Sequence, residues 1–322
     1  MGNRWKLPFG VMLFVAAILT ALLDAAPGML LSERFFSGYG WVQIGILTLY
    51  AGLLAYKMQD RDKAPRWRSV SWTLFSVLFF GQLLLGLLVS DRFLLTGTLH
   101  FPIPAMILAG PLYRVELSFM TLLFLSTIVL TGPAWCSQLC YFGALDHLAA
   151  GKKGSRLPVV FSAPMRNSVL LITVAGALLL RWVGASQAVT SGVALLMGIL
   201  GLMVMVWLSR RHTIMVHCTA FCPIGTLVQR LKSVNPFRLQ ISSACTRCMG
   251  CLGHCRYDAL HKEEILKGKP GLSCTLCGDC MAGCTHNAIV YRFPGLSAQS
   301  ARFLWLFLTI SLHALFLAVA RI

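Results

Sequence analysis

The sequence predicts an all-α polytopic membrane protein of about seven transmembrane helices, with a small α+β module inserted before the last of them. Three observations predict it. Of 322 residues 57% are hydrophobic and only 12% charged, with a mean hydropathy of +0.73, far from the profile of a soluble globular chain. Long uncharged stretches recur at the length needed to cross a bilayer. Eight of the twelve cysteines crowd into one short polar segment near the C-terminus. The chain divides accordingly into a membrane part over 1–235, a cysteine-rich module over 236–295 and a final transmembrane helix in 296–322.

The apolar stretches lie at about 7–26, 37–56, 69–90, 115–135, 167–186, 188–209 and 303–320. Each is near the ~20 residues that cover ~30 Å of hydrocarbon. The stretch Phe101 to Leu112 is shorter and holds Pro102, Pro104 and Pro111, so it is expected to be re-entrant or to lie on the surface. With the N-terminus inside, all of the 28 Lys and Arg fall in or beside inner segments except Arg34, Arg92, Arg114, Arg181 and Arg321. This is the asymmetry of the positive-inside rule, and it assigns the net charge of +17 to membrane topology rather than to nucleic-acid binding. A signal peptide is the alternative for the first stretch, but no A-x-A site follows it and Asp24 interrupts the region where cleavage would fall.

Within the module, Cys245-x2-Cys248-x2-Cys251-x3-Cys255 is repeated 29 residues later as Cys274-x2-Cys277-x2-Cys280-x3-Cys284. The repeat extends to Asp258-Ala259-Leu260 and Asn287-Ala288-Ile289. This spacing is that of a two-[4Fe-4S] bacterial ferredoxin, in which the fourth cysteine of each run ligates the other cluster. Cys245, Cys248, Cys251 and Cys284 are therefore assigned to one cluster, and Cys274, Cys277, Cys280 and Cys255 to the other. Paired zinc sites and buried structural thiols are the alternatives, and two identical four-cysteine runs suit them less well. Arg256 and Thr285 stand where ferredoxins usually carry proline after the fourth cysteine.

A second duplication lies 82 residues apart in the membrane part, Cys136-Ser-Gln-Leu-Cys140-Tyr-Phe-Gly143 and Cys218-Thr-Ala-Phe-Cys222-Pro-Ile-Gly225. Each copy follows a span of the same direction, so the four thiols are expected at one depth near the inner interface. At i, i+4 the members of a pair share one helix face. Two such helices could bring Cys136, Cys140, Cys218 and Cys222 to a further metal centre, to two redox-active thiol pairs, or simply to tight packing.

Several spans, two C-x3-C motifs after spans and a terminal two-cluster module together resemble the membrane polyferredoxins of the NapH, NosR and CcoG type, over about residues 70–290. Cys218-Thr-Ala-Phe-Cys222-Pro223 fits the family motif fully, whereas the first copy has Tyr141 in place of proline. The resemblance is nearest to NapH-like subunits with added helices. The resemblance implies a bacterial cytoplasmic membrane location, in which the distribution of Lys and Arg puts the N-terminus and the module on the cytoplasmic side and the C-terminus outside. It also implies oxidation of quinol from the membrane pool and electron delivery through iron–sulfur clusters to a partner redox protein. The CcoG likeness allows a metal- or thiol-reducing assembly factor instead, and a redox-sensing regulator is a third possibility. No C-x2-C-H haem motif, P-loop or G-x-G-x-x-G after a strand occurs.

A quinol site needs a proton acceptor beside an apolar slot. Asp91, His100 and Glu116 bracket the proline-broken stretch 101–114, and His100 is the favoured hydrogen-bond partner, set against a role as a headgroup anchor. His313 in the last span is a further intramembrane polar residue, either ligand or interhelical contact.

Overall fold

The computed structural model describes residues 4–94, 102–151 and 163–319. Two compact units are present, one formed by Met1–His100 with Val290–Ile322 and the other by Phe101–Ile289. Among the described residues six helical segments are long and apolar enough to cross a membrane: Lys6–Ala25, Ala64–Leu88, Phe119–Leu139, Pro164–Trp182, Gln187–His212 and Ala298–Val319. A further helix, Gly40–Met58, has 19 residues and a spanning length but carries Gln43, Tyr50, Tyr56 and Lys57.

The first unit packs helices α1 (Lys6–Ala25), α2 (Gly40–Met58) and α3 (Ala64–Leu88) with the C-terminal helix Ala298–Val319. Leu7, Val11, Val15 and Leu19, four residues apart along α1, are fully buried, while Phe9, Leu13, Ile46, Leu49 and Leu53 face outward. An outward apolar surface of this kind fits a lipid solvent. In lipid, packing one apolar side chain on another gains little from the hydrophobic effect, so close approach and polar contacts must hold the helices. Small residues supply the approach: a Cβ on Gly52 would meet Met12 Sδ at 2.5 Å. Polar contacts supply the rest. Tyr50 Oη lies 3.0 Å from His313 Nε2, and interhelical hydrogen bonds in membranes contribute about 0.6–2 kcal/mol. His313 is thus a satisfied interhelical contact. Arg302 donates to the carbonyls of Gln59 (2.8 Å) and Met58 (3.1 Å), capping the C-terminal end of α2. Asp24 is exposed.

The second unit begins with α4 (Met106–Arg114), nine residues and roughly 14 Å long, too short to cross as expected for the 101–112 stretch. Pro111 inside it cannot donate to Ile107 O, and that carbonyl instead accepts from Thr121 Oγ1 at 3.0 Å. Helix α5 (Phe119–Thr131) stops at Gly132, whose φ of +60° only glycine adopts without strain, followed by Pro133. The chain then makes a π-turn over Trp135–Leu139 and enters α6 (Tyr141–Ala149). After α7 (Ala163–Trp182) and α8 (Gln187–Val204) the same design returns: a π-turn over His217–Phe221 leads into α9 (Pro223–Leu231). Arg166 binds Gln229 Oε1 (2.9 Å) and Arg230 binds Asn167 Oδ1 (2.7 Å), tying α7 to α9.

The cysteine-rich module follows in this unit after strand β1 (Arg238–Ile241), and Ser242 N–H donates to Ala288 O at 2.8 Å. Asn235 fixes its entry by donating to Val129 O (2.8 Å) and accepting from Phe237 N–H (2.9 Å).

Candidate metal centre

The two four-cysteine runs are duplicated in backbone as well as in sequence. Left-handed φ values occur at Arg247, Met249 and Asp258 in the first run and at Leu276, Gly278 and Asn287 at the matching offsets in the second. For a residue other than glycine this costs on the order of 1–2 kcal/mol, so both loops hold a conformation the chain would not choose alone. Alternating right- and left-handed residues turn successive N–H groups inward, the arrangement that binds anions. The sulfurs accept them: Arg247 N–H points at Cys245 Sγ (3.4 Å), Ala259 N–H at Cys255 Sγ (3.2 Å) and Ala288 N–H at Cys284 Sγ (3.2 Å).

The runs exchange their fourth cysteines. Cys245, Cys248, Cys251 and Cys284 line one pocket, with Ile241, Ile265 and Ile289 among its walls. Burial pushes the Cys251 thiol up, and Cys284, Cys245 and Cys248 beside it push it further. In the second set burial raises Cys280 strongly, and its thiol neighbours Cys277, Cys255 and Cys274 add to that. Thiolates so crowded repel one another unless a cation takes them as ligands, which is the donor chemistry of an iron–sulfur site. Among the described residues no three His, Cys, Asp or Glu side chains close on a single point as they would around one ion. The cysteines surround a space instead.

The membrane cysteines form a third neighbourhood. Cys136, Cys140, Cys218 and Cys222 are all buried to the same degree, 6–8% exposed. Burial raises Cys218, with Asp146, Cys222, Cys140 and Cys136 adding to it in that order, and pushes Cys222 up to about 11. Gly143 N–H approaches Cys140 Sγ at 3.4 Å, and Gly225 N–H approaches Cys222 Sγ at 3.5 Å. The glycine is needed for this: a Cβ on Gly225 would lie 2.3 Å from Cys218 O.

One expectation is corrected here. The members of a pair do not share a face of a continuous helix. Cys136 and Cys218 sit in π-turns, and Cys140 and Cys222 are N-caps with extended backbone, at φ −76°, ψ 114° and φ −82°, ψ 118°. Each N-cap N–H bonds back five residues, Cys140 to Trp135 O and Cys222 to His217 O, so the chain bends between the two sulfurs.

Two polar residues beside this group were not singled out from the sequence. Asp146 is fully buried, accepts from Cys218 N–H at 2.9 Å through Oδ2 and leaves Oδ1 without a partner. Burial pushes it up to about 6 against the hydrogen bonds from Ser209 and Cys218. His217 is 8% exposed with Nδ1 unpartnered, and burial pushes it down to about 4. A signal existed: each breaks the 82-residue repeat, with Val228 opposite Asp146 and Trp135 opposite His217. Of the residues expected at a quinol site, Asp91 and Glu116 are exposed and belong to separate units, and His100 lies outside the described residues.

Comparison with known proteins adds one family: a 4Fe-4S binding domain matches residues 115–158. The matched segment holds Cys136 and Cys140 and ends well before the eight-cysteine module. No curated protein and no solved structure matches the chain.

Proposed function

We propose that this chain is a membrane electron-transfer protein of a bacterial cytoplasmic membrane that oxidises quinol and passes the electrons through iron–sulfur centres to a partner redox protein. The observation that carries the reading is the grouping of all twelve cysteines into three sets of four within one compact unit. Cys245, Cys248, Cys251 and Cys284 would hold one [4Fe-4S] cluster, and Cys274, Cys277, Cys280 and Cys255 a second. The 4Fe-4S match contains only two cysteines, and Cys218 and Cys222 are the neighbours that complete a ligand set for a third centre. When bound, such clusters supply one-electron chemistry at tunable potential. The chain's own part is to hold the sulfurs, aim N–H groups at them and keep water from the membrane set.

Four buried cysteines gathered in one neighbourhood, two of them inside a 4Fe-4S family match, favour metal ligation over thiol exchange and so this reading over a thiol-reducing assembly factor. The candidate residue for the quinol site is His100. His100→Ala is expected to slow cluster reduction by a quinol analogue while leaving reduction by dithionite unchanged. Equal loss with both donors, or no loss with either, would remove His100 from the site. The orientation has its own check: reporter fusions after Lys153 and after Arg92 should read opposite compartments, the former cytoplasmic. Matching readouts would mean that the 101–112 stretch crosses the membrane as well.

A further inference from the structure

The two halves of the cysteine-rich module repeat each other at a 29-residue offset, so any difference between equivalent positions marks what one half touches and the other does not. The differences all point one way. After the fourth cysteine of the first run stand Arg256 and Tyr257; their equivalents in the second are Thr285 and His286. Arg256 donates to Thr213 O at 2.8 Å and to Ala150 O at 3.4 Å, while its own carbonyl accepts from Met215 N–H at 2.9 Å. It thus clamps the loop after α6 and the loop before the second π-turn, one from each copy of the membrane repeat. Tyr257, 3% exposed, donates through its hydroxyl to Cys136 O at 2.6 Å. Thr285 and His286 are exposed. The contrast recurs at the other end of each run: Thr275 is 5% exposed and its carbonyl accepts from Ser137 Oγ at 3.3 Å, whereas its equivalent Thr246 is exposed.

The sulfurs follow the same division. Cys255, Cys274 and Cys280 are buried, and Cys277 is half-buried. In the other set only Cys251 is buried, and Cys248 is exposed. Two side-chain hydrogen bonds therefore join the Cys136–Ser137 segment to Tyr257, two residues past Cys255, and to Thr275, next to Cys274.

From this we infer that the Cys255/Cys274/Cys277/Cys280 set is the inner station, held against the membrane cysteines by Arg256 and Tyr257, and that the Cys245/Cys248/Cys251/Cys284 set is the outlet. The surface around Cys248 is where an acidic one-electron redox protein docks. Exposed Arg247, His254 and His286 surround this edge, and residues 243–254 and 284–287 contain no carboxylate, so an acidic rim on the partner is complementary. At the outlet one electron passes per encounter, the outer set being oxidised and the partner reduced, with no bond made or broken. Arg256 and Tyr257 are positioning residues. This inference rests on the iron–sulfur reading above but is independent of quinol as the donor.

The test uses full-length protein with its clusters, in detergent. A membrane-impermeant iron chelator should strip iron in a fast and a slow phase. Cys248→Ala should abolish the fast phase, and Cys277→Ala should leave it intact. Magnetic coupling supplies the second readout: in reduced protein the signal of the membrane centre should be broadened by its neighbour. That broadening should vanish in Cys277→Ala, weaken in Arg256→Ala and Tyr257→Phe, and persist in Cys248→Ala and His286→Phe. With a flavodoxin as acidic acceptor, Arg247→Glu with His286→Glu should slow reoxidation ~10-fold or more at low salt and little at high salt. The reverse pattern of chelation or coupling, or equal behaviour of the two cysteine variants, overturns the order of the stations. A charge-insensitive reoxidation overturns the docking face. Protein that binds no iron would overturn the function itself, a result distinct from either.

Discussion

Full-length protein carrying Cys140→Ser and Cys222→Ser is expected to lose one complete iron–sulfur centre and to keep the iron of the eight-cysteine module. The two substitutions take one sulfur from each copy of the membrane repeat, and the four thiols are equally buried around one locus. Serine nearly preserves shape but is a far poorer ligand than thiolate for iron in this setting, so the whole centre goes rather than half of it. Iron and acid-labile sulfide per chain, with the spectrum of the reduced protein, measure the loss. Unchanged iron with the same spectrum would return these cysteines to packing or to thiol redox chemistry. Gly225→Ala approaches the same end from the backbone, since its Cβ would collide with Cys218 O and displace a ligand residue.

A second large effect is expected in the module. Cys251→Ala and Cys280→Ala should each remove about four irons, and the two variants should show different residual spectra. Cys255→Ala decides the crossover. Although Cys255 lies in the first run, it neighbours Cys280 and is absent from the thiols beside Cys251, so its variant should resemble Cys280→Ala and not Cys251→Ala. Likeness to Cys251→Ala would mean that each run holds its own cluster.

Long apolar helices and 4Fe-4S chemistry were legible in the sequence for one reason: both follow from hard spacing rules. A bilayer demands about twenty apolar residues, and a cubane demands thiolates at fixed intervals. The brevity of 101–114 was readable from its prolines, though not the replacement of the lost hydrogen bond by Thr121. Other features depend on contacts between distant residues and were not legible. The bend between Cys136 and Cys140 follows from Gly132-Pro133 ending α5 and from a π-turn that periodicity does not announce. Asp146 and His217 stand where the repeat fails, so the pattern its two copies share does not mark them. Arg256 was visible only as a missing proline, and its grip on two loops emerged with the coordinates.

The pairing of Tyr50 with His313 has a consequence for biogenesis. The two residues are 263 positions apart, and the helix Ala298–Val319 completes a unit whose other helices are the first to leave the ribosome. At ~5–20 residues per second, α1 and α2 wait on the order of tens of seconds in the membrane before their partner is synthesised. During that interval Tyr50 and the carbonyls of Met58 and Gln59 lack the side chains that later satisfy them. The N-terminal unit is thus finished last, after the cysteine-bearing unit has been translated, and a chain arrested before Ala298 would leave α1, α2 and α3 without their fourth helix.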